Sequence, residues 1–206
     1  MRPDRIPLFP LNVVLLPGAT LPLHIFEPRY RRMVKECLEA NSEFGMLLAL
    51  PNGMAGIGCT AKITEVTKRY PDGRYDILTA GGARIRIVEL FTADPLLEAR
   101  VDYLEDFDDG TNPRVARELI DLFETCHTLL FEDYARDFHV RDGESLAYRV
   151  ADKLPLDLIW KQRILELRSE AEREERLVEY LREWAPHLQK VTGLRTKSAS
   201  GGHGLN

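Results

Sequence analysis

Cysteine is scarce in this chain: three residues, Cys37, Cys59 and Cys126, stand among 206. They are widely spaced, odd in number and include no Cys-x-x-Cys pair, which excludes a zinc ribbon, a dithiol redox centre and a disulfide framework. They read as buried free thiols. Long apolar runs are missing as well. Prolines and charges interrupt every hydrophobic stretch short of the length a transmembrane helix needs. The segment MRPDRIPLFPL lacks a signal-peptide core and a small-residue cleavage pattern. A cytoplasmic protein without a membrane partner is therefore expected. Basic excess is also missing, with 28 Lys+Arg against 33 Asp+Glu and a net charge of -5. That balance argues against a nucleic-acid partner, because phosphate binding depends on clustered Lys and Arg. From Met1 to Glu105 the charges balance, so the whole deficit falls in the second half.

What the chain does have is proline at informative places. The stretch Ile6 to Tyr30, IPLFPLNVVLLPGATLPLHIFEPRY, is an apolar segment cut repeatedly by breakers. Val13 to Leu16 has the length of a buried strand, and Pro17-Gly18 is a turn dipeptide. Leu21 to Phe26 can extend again, and Pro28 suits the first position of a helix. Tyr30, Met33, Val34, Cys37 and Leu38 then recur at i, i+3, i+4, i+7 and i+8, one helical face, with Asn41 as its carboxy-terminal cap. Phe44 to Leu50 is a continuous apolar run, which predicts a strand buried on both faces. Cys59 to Tyr70 and Arg74 to Ala80 are strands joined by the turn Tyr70-Pro71-Asp72-Gly73. Ala83 to Leu90 is a further strand, separated from the last by Gly81-Gly82, and Leu97 to Leu104 closes the series.

Beyond Pro113 the period changes from strand to helix. Val115, Leu119, Leu122, Phe123, Cys126 and Leu130 form one stripe, ending near Tyr134; Leu146, Val150 and Leu154 form another after a break at Arg141-Asp142-Gly143. Trp160, Ile164 and Leu167 follow Pro155 at helical spacing. Ser169 and Glu172 fit a capping box for a final helix bearing Leu177, Leu181 and Trp184, which Pro186 is expected to stop. The expected fold class is α+β, with strands and one helix segregated from a run of helices. The expected organisation is a β subdomain over 1–105, an acidic linker over 106–113, a helical subdomain over 114–191 and a disordered tail over 192–206.

The order LFPL, hydrophobic strand, LPGATLPLHIFEPRY and amphipathic helix resembles the start of the amino-terminal substrate-binding domain of Lon proteases, which also occurs alone and in cereblon. GIGCTAKITEVTKRYPDGRYDILTAGGARIRIVEL resembles the same family's strand, PDG-type turn, strand and R-x-R strand. LPLDLIWKQRILELRSEAEREERLVEYLREW resembles its helical end. The resemblance runs from about Ile6 to Trp184 and implies a PUA-like pseudo-β-barrel followed by a helical bundle. It also implies a module that recognises polypeptides, unfolded or specific, with a separate protease or ATPase as a further candidate partner. No Gly-rich turn ending Gly-Lys-Ser/Thr occurs, and the serine and lysine of the Lon protease domain have no counterpart. Cereblon's zinc-binding cysteine pairs have none either. ATP hydrolysis and peptide cleavage are therefore not expected to transfer, and no enzyme activity and no cofactor is expected. Nucleic-acid binding, an alternative by analogy with PUA-like barrels that bind RNA, rests on fold alone.

The residues that carry chemistry divide into candidates and bland positions. Cys126-His127 with His139 suggests nucleophile or metal chemistry, but Cys126 lies on an apolar stripe, so packing is favoured. His24 beside Glu27 is read as a structural hydrogen bond. Asp106, Asp108 and Asp109 lack the spacing and closing glutamate of a calcium loop and read as a solvated linker. Arg84 and Arg86 share a strand face and, with Arg29, Arg31 and Arg32, are candidates for a basic patch. Phe138 and Trp160 are expected in the core. The expected protein-binding residues are Phe9, Phe26, Arg29, Tyr30, Arg84 and Arg86, a rim of apolar and cationic side chains around a groove that clients fill with hydrophobic side chains and backbone. No catalytic or metal-binding residue is expected.

Overall fold

The structure, a computed structural model, describes residues 2–92, 95–107, 109–131, 138–141 and 143–200, with side chains described up to 192. It divides into two compact units, Met1–Asp106 with Leu156–Arg168, and Phe107–Pro155 with Ser169–Asn206. The strands all lie in the first and the architecture is α+β, as the segregated sequence pattern requires.

In the first unit, β1 (Arg5–Leu11) pairs antiparallel with β7 (Glu98–Leu104) through Ile6↔Ala99. Further along, through Leu8↔Gly45, it runs parallel to β3 (Phe44–Leu50). The remaining links are antiparallel: β7 to β6 (Tyr75–Phe91), β6 to β5 (Ile57–Arg69) and β5 to β3. Because β1 touches both β7 and β3, the ring closes as a barrel and removes two sheet edges. Its interior holds Ile6, Leu8, Leu47, Ile85, Ala99 and Val101. Burying each of the larger aliphatic side chains contributes about 1.5–3 kcal/mol. A short β4 (Gly53–Met54) folds back on β3. β2 (Thr20–Ile25) pairs with the first half of β6, outside the ring.

The helix α1 (Pro28–Ala40) buries Tyr30, Met33, Val34 and Cys37 of the predicted stripe, leaves Leu38 half-buried, and ends at Asn41 in the left-handed conformation, φ 48°. Two other expectations in this unit are corrected. Val13 to Leu16 is not a strand: Val14, Leu15 and Leu16 are buried in an unpaired segment, and the strand lies earlier, across Pro7 and Pro10. Gly81-Gly82 does not break the chain, because β6 runs through it. The glycines serve close approach instead: a Cβ on Gly81 would sit 2.1 Å from the Leu16 carbonyl oxygen, and one on Gly82 2.5 Å from Thr60 Oγ1.

The helix α4 (Leu158–Glu166), expected with the helical subdomain, belongs to the strand unit. Gln162 Nε2 donates to the Ile57 carbonyl at 3.0 Å, and Arg84 donates to the carbonyls of Leu165 and Leu167 at 3.2 and 2.5 Å. The two Arg84 bonds satisfy carbonyls that the end of α4 leaves open.

In the second unit, α2 (Pro113–Phe131), α3 (Leu146–Lys153) and α5 (Glu170–Ser200) pack together, with α2 and α5 burying Leu119, Phe123 and Cys126 and Leu177 and Leu181. Ser169 caps α5 by accepting from the Glu172 amide at 3.0 Å, as the capping-box spacing predicts. Pro186 lies inside α5 rather than ending it, and helix covers 192–200 where a disordered tail was expected. One missing donor is tolerated in a helix whose preceding turns, at Leu177, Leu181 and Ala185, are held by burial. Tyr134, Asp108, Asp142 and the tail beyond 200 lie outside the described residues.

Candidate functional site

The opening stretch places one large apolar side chain in the open. Phe26, between the end of β2 and the start of α1, is 60% exposed. It cannot turn inward with Ile25 because successive residues of an extended chain face opposite ways, and Ile25 is buried. Its ring lies 6.0 Å from that of His24 and 25° from parallel with it. His24 also meets Tyr70 edge to face at 5.7 Å.

The cluster is held by Asp76. His24 Nδ1 lies 2.5 Å from Asp76 Oδ1, and Tyr70 Oη donates to Oδ2 at 2.8 Å. The His24 bond, then that from Tyr70, hold the Asp76 carboxyl below its ordinary range. As a carboxylate it is acceptor only, so Nδ1 carries the proton and Nε2 of a neutral ring is left to accept. The structural hydrogen bond expected of His24 therefore exists, but with Asp76 rather than Glu27. Chain spacing gives no sign of this partner. The antiparallel register of β2 on β6, His24↔Asp76, makes the pair.

Cations surround the rings. Lys68 and Arg74 lie over Tyr70 at 4.6 and 4.7 Å, and Arg29 over Tyr30 at 4.6 Å. Arg29 also pairs with Glu27 at 2.8 Å, and Arg31 donates to the Asp72 carbonyl, tying α1 to the turn that closes the β5–β6 hairpin. The Asp72 carboxyl is held low by the Arg74 amide first and by the Arg74 side chain.

The six expected rim residues separate by burial. Phe26, Arg29 and Arg86 are exposed, Arg86 in an ion pair with Asp102 at 2.7 Å. Phe9, Tyr30 and Arg84 are interior, which takes them out of the rim. The Phe9 ring packs 4.1 Å from Tyr30 and 6.2 Å from Phe44, and burial raises the Tyr30 hydroxyl above its ordinary pKa. Arg84 is 3% exposed and spends its guanidinium on two carbonyls and Asp106. The expected basic patch of Arg84, Arg86, Arg29, Arg31 and Arg32 does not form, since Arg84 is interior, Arg86, Arg29 and Arg32 are ion-paired with Asp102, Glu27 and Glu36, and Arg31 donates to the Asp72 carbonyl.

The other candidates resolve as packing. Burial pushes the Cys59 and Cys126 thiols up to about 12 and about 11, and raises Cys37, so each is held as thiol. Cys126 is buried whereas His139 is exposed, and His127 lies between Phe123 and Phe131 at 5.5 and 4.7 Å. Asp106 and Asp109 are not merely solvated: the first pairs with Arg84, and the second accepts from Ser169 Oγ at 2.5 Å. Phe138 packs 4.1 Å from Phe123, while Trp160 is half-buried. Among the described residues no group of three His, Cys, Asp or Glu is placed to hold a metal ion. No helix among them is long and apolar enough to cross a membrane.

Residues 5–183 match the family model of the ATP-dependent protease La (LON) substrate-binding domain. The chain belongs to the Lon substrate-binding domain family. It is 28% identical over 195 residues to the Lon protease of Parabacteroides distasonis, covering 85% of this chain and 23% of that one. With the Lon protease of Dictyoglomus thermophilum it shares 26% over 193 residues, 87% of this chain and 24% of the relative. The chain thus spans about a quarter of the length of these relatives. The crystal structure of a Lon N-terminal domain protein from Xanthomonas campestris superposes with a TM-score of 0.68 at 30% identity, covering 85% of this chain and 98% of that one. The N-terminal domain of Mycobacterium avium complex Lon protease shares the fold, with a TM-score of 0.64 at 17% identity over 86% and 97% of the two chains. The Lon-type fold accounts for the barrel, its outlying β2 and the helices that follow.

Proposed function

We propose that this Lon-type domain binds unfolded or partly unfolded polypeptides without chemical change, at the exposed platform of Phe26, His24 and Tyr70. The observation that carries the reading is Phe26. A ring 60% exposed beside two further aromatics, within a family whose model is a substrate-binding domain, supplies apolar contact that costs the chain little to order. Lys68, whose ammonium lies over the Tyr70 ring, supports capture of segments that carry an acidic residue beside an apolar one. Delivery to a separate protease or ATPase is the role such binding would serve. A fluorescence titration against one labelled protein, held unfolded by reduction and alkylation, tests the reading. The unfolded form is expected to bind and its native form not to; equal binding of both, or of neither, contradicts it.

A further inference from the structure

β2 uses only one of its two edges. It pairs with β6 from Thr20↔Ala80 to Ile25↔Tyr75, and among the described residues no strand pairs with its other side. Two observations say which backbone groups are left open. Pro22 sits opposite Leu78 and has no N–H, so it occupies a position whose donor points away from β6. Thr79 Oγ1 donates to the Leu21 carbonyl at 2.8 Å, so the odd-numbered residues face β6. By alternation Thr20, Pro22 and His24 face outward. Thr20 and His24 present both a donor and an acceptor there, and Pro22 an acceptor alone. Among the described residues no backbone hydrogen bond reaches any of the three from the open side.

From this geometry we infer that β2 accepts an extended polypeptide segment as an added strand, hydrogen-bonded to the backbone of Thr20, Pro22 and His24 and ending beside the Phe26 ring. The inference rests on the polypeptide-binding reading and supplies its sequence-independent part: the backbone is common to every client, while Phe26 meets whichever side chain arrives. The three residues span about 14 Å, so a client of five or six residues fills the edge.

Pro22 also decides between a client and a second copy of this chain. A client strand with an ordinary residue opposite Pro22 loses one bond, because its carbonyl finds no donor there. Two copies pairing antiparallel across this edge bring two prolines into the ladder and lose two bonds in any register that engages both. Open edges are templates for self-association, and proline is one device that blunts them. Here the penalty is heavier for the chain's own edge than for a foreign one, which is how partner choice is set by disfavouring the wrong pairing.

The test uses the full chain and a soluble ten-residue peptide of alternating valine and threonine with a glutamate at each end. An otherwise identical peptide N-methylated at every residue is the control. It is expected to bind at least tenfold more weakly than the parent, and the parent peptide to slow hydrogen exchange at the Thr20 and His24 amides. Pro22→Val, which restores the missing donor, is expected to bind the parent more tightly and to sediment as a larger species than wild type. Equal affinities for the parent and the methylated peptide, or unchanged exchange at Thr20 and His24 with the parent bound, overturn strand addition. If unfolded protein still binds in that case, polypeptide binding stands without it; if unfolded protein also fails to bind, both fall.

Discussion

Arg84 is a cation in the interior that is matched on every side: two helix-end carbonyls accept from it and Asp106 neutralises it. The carbonyls are those of Leu165 in the last turn of α4 and of its C-cap Leu167, where the helix dipole favours a positive charge. Arg84→Met keeps the length of the side chain but leaves those acceptors and Asp106 without their donor. It should destabilise the strand unit by about 3 kcal/mol, read as a lower urea midpoint at unchanged slope. Glu174 is the opposite case. It is 2% exposed, and desolvation first, then the Glu170 carboxylate, push its carboxyl up to about 7 against the opposing pull of Arg173. The folded state therefore holds a proton that the unfolded state releases. The contribution of Glu174 to stability should be fully present below about pH 4.5, be lost as the pH rises to about 7 and level off above it, at a cost of at most about 3 kcal/mol, while the depressed Asp72 and Asp76 carboxyls act in the opposite sense at acid pH. Glu174→Gln should flatten that dependence and raise the melting temperature at pH 8; a profile identical to wild type would show that the carboxyl is not proton-bound in the fold.

At the scale of elements, β6 explains why local sequence rules misplace boundaries. Gly81-Gly82 has the composition of a turn, yet the strand runs through because the Leu16 carbonyl and Thr60 need the space that side chains would fill. Gly81→Ala should cost at least about 2 kcal/mol, since the backbone of residue 16 must move; a melting temperature within a degree of wild type would contradict the close approach. The same register hides the cluster of His24, Asp76 and Tyr70. Phe26 was legible as an aromatic in a proline-bounded segment, and α1 was legible from its apolar spacing, because both signals are local. Asp76 and Tyr70 were not, since only the pairing of β2 with β6 and of β5 with β6 brings them to His24. Phe9, Tyr30 and Arg84 show the converse error, in which aromatic or charged character suggests a surface and burial removes it.

For the whole molecule, order along the chain was more readable than partition in space. Strands before Pro113 and helices after it follow from the change of period, and the α+β fold follows from that segregation. The assignment of α4 to the strand unit does not, because it depends on hydrogen bonds from Gln162 and Arg84 across 80 or more positions of sequence. We propose that a client meets the first unit at Phe26. The most direct measurement compares Phe26→Ser with Phe131→Ser, a ring 52% exposed in the other unit, in titrations with the same labelled unfolded protein. A bound client that covers about 100 Å² of the Phe26 ring gains about 2.5 kcal/mol from it. Phe26→Ser should therefore weaken binding at least tenfold with an unchanged melting temperature, while Phe131→Ser binds as wild type does. Undiminished binding by Phe26→Ser, or an equal loss in both variants, would show that clients do not dock at Phe26.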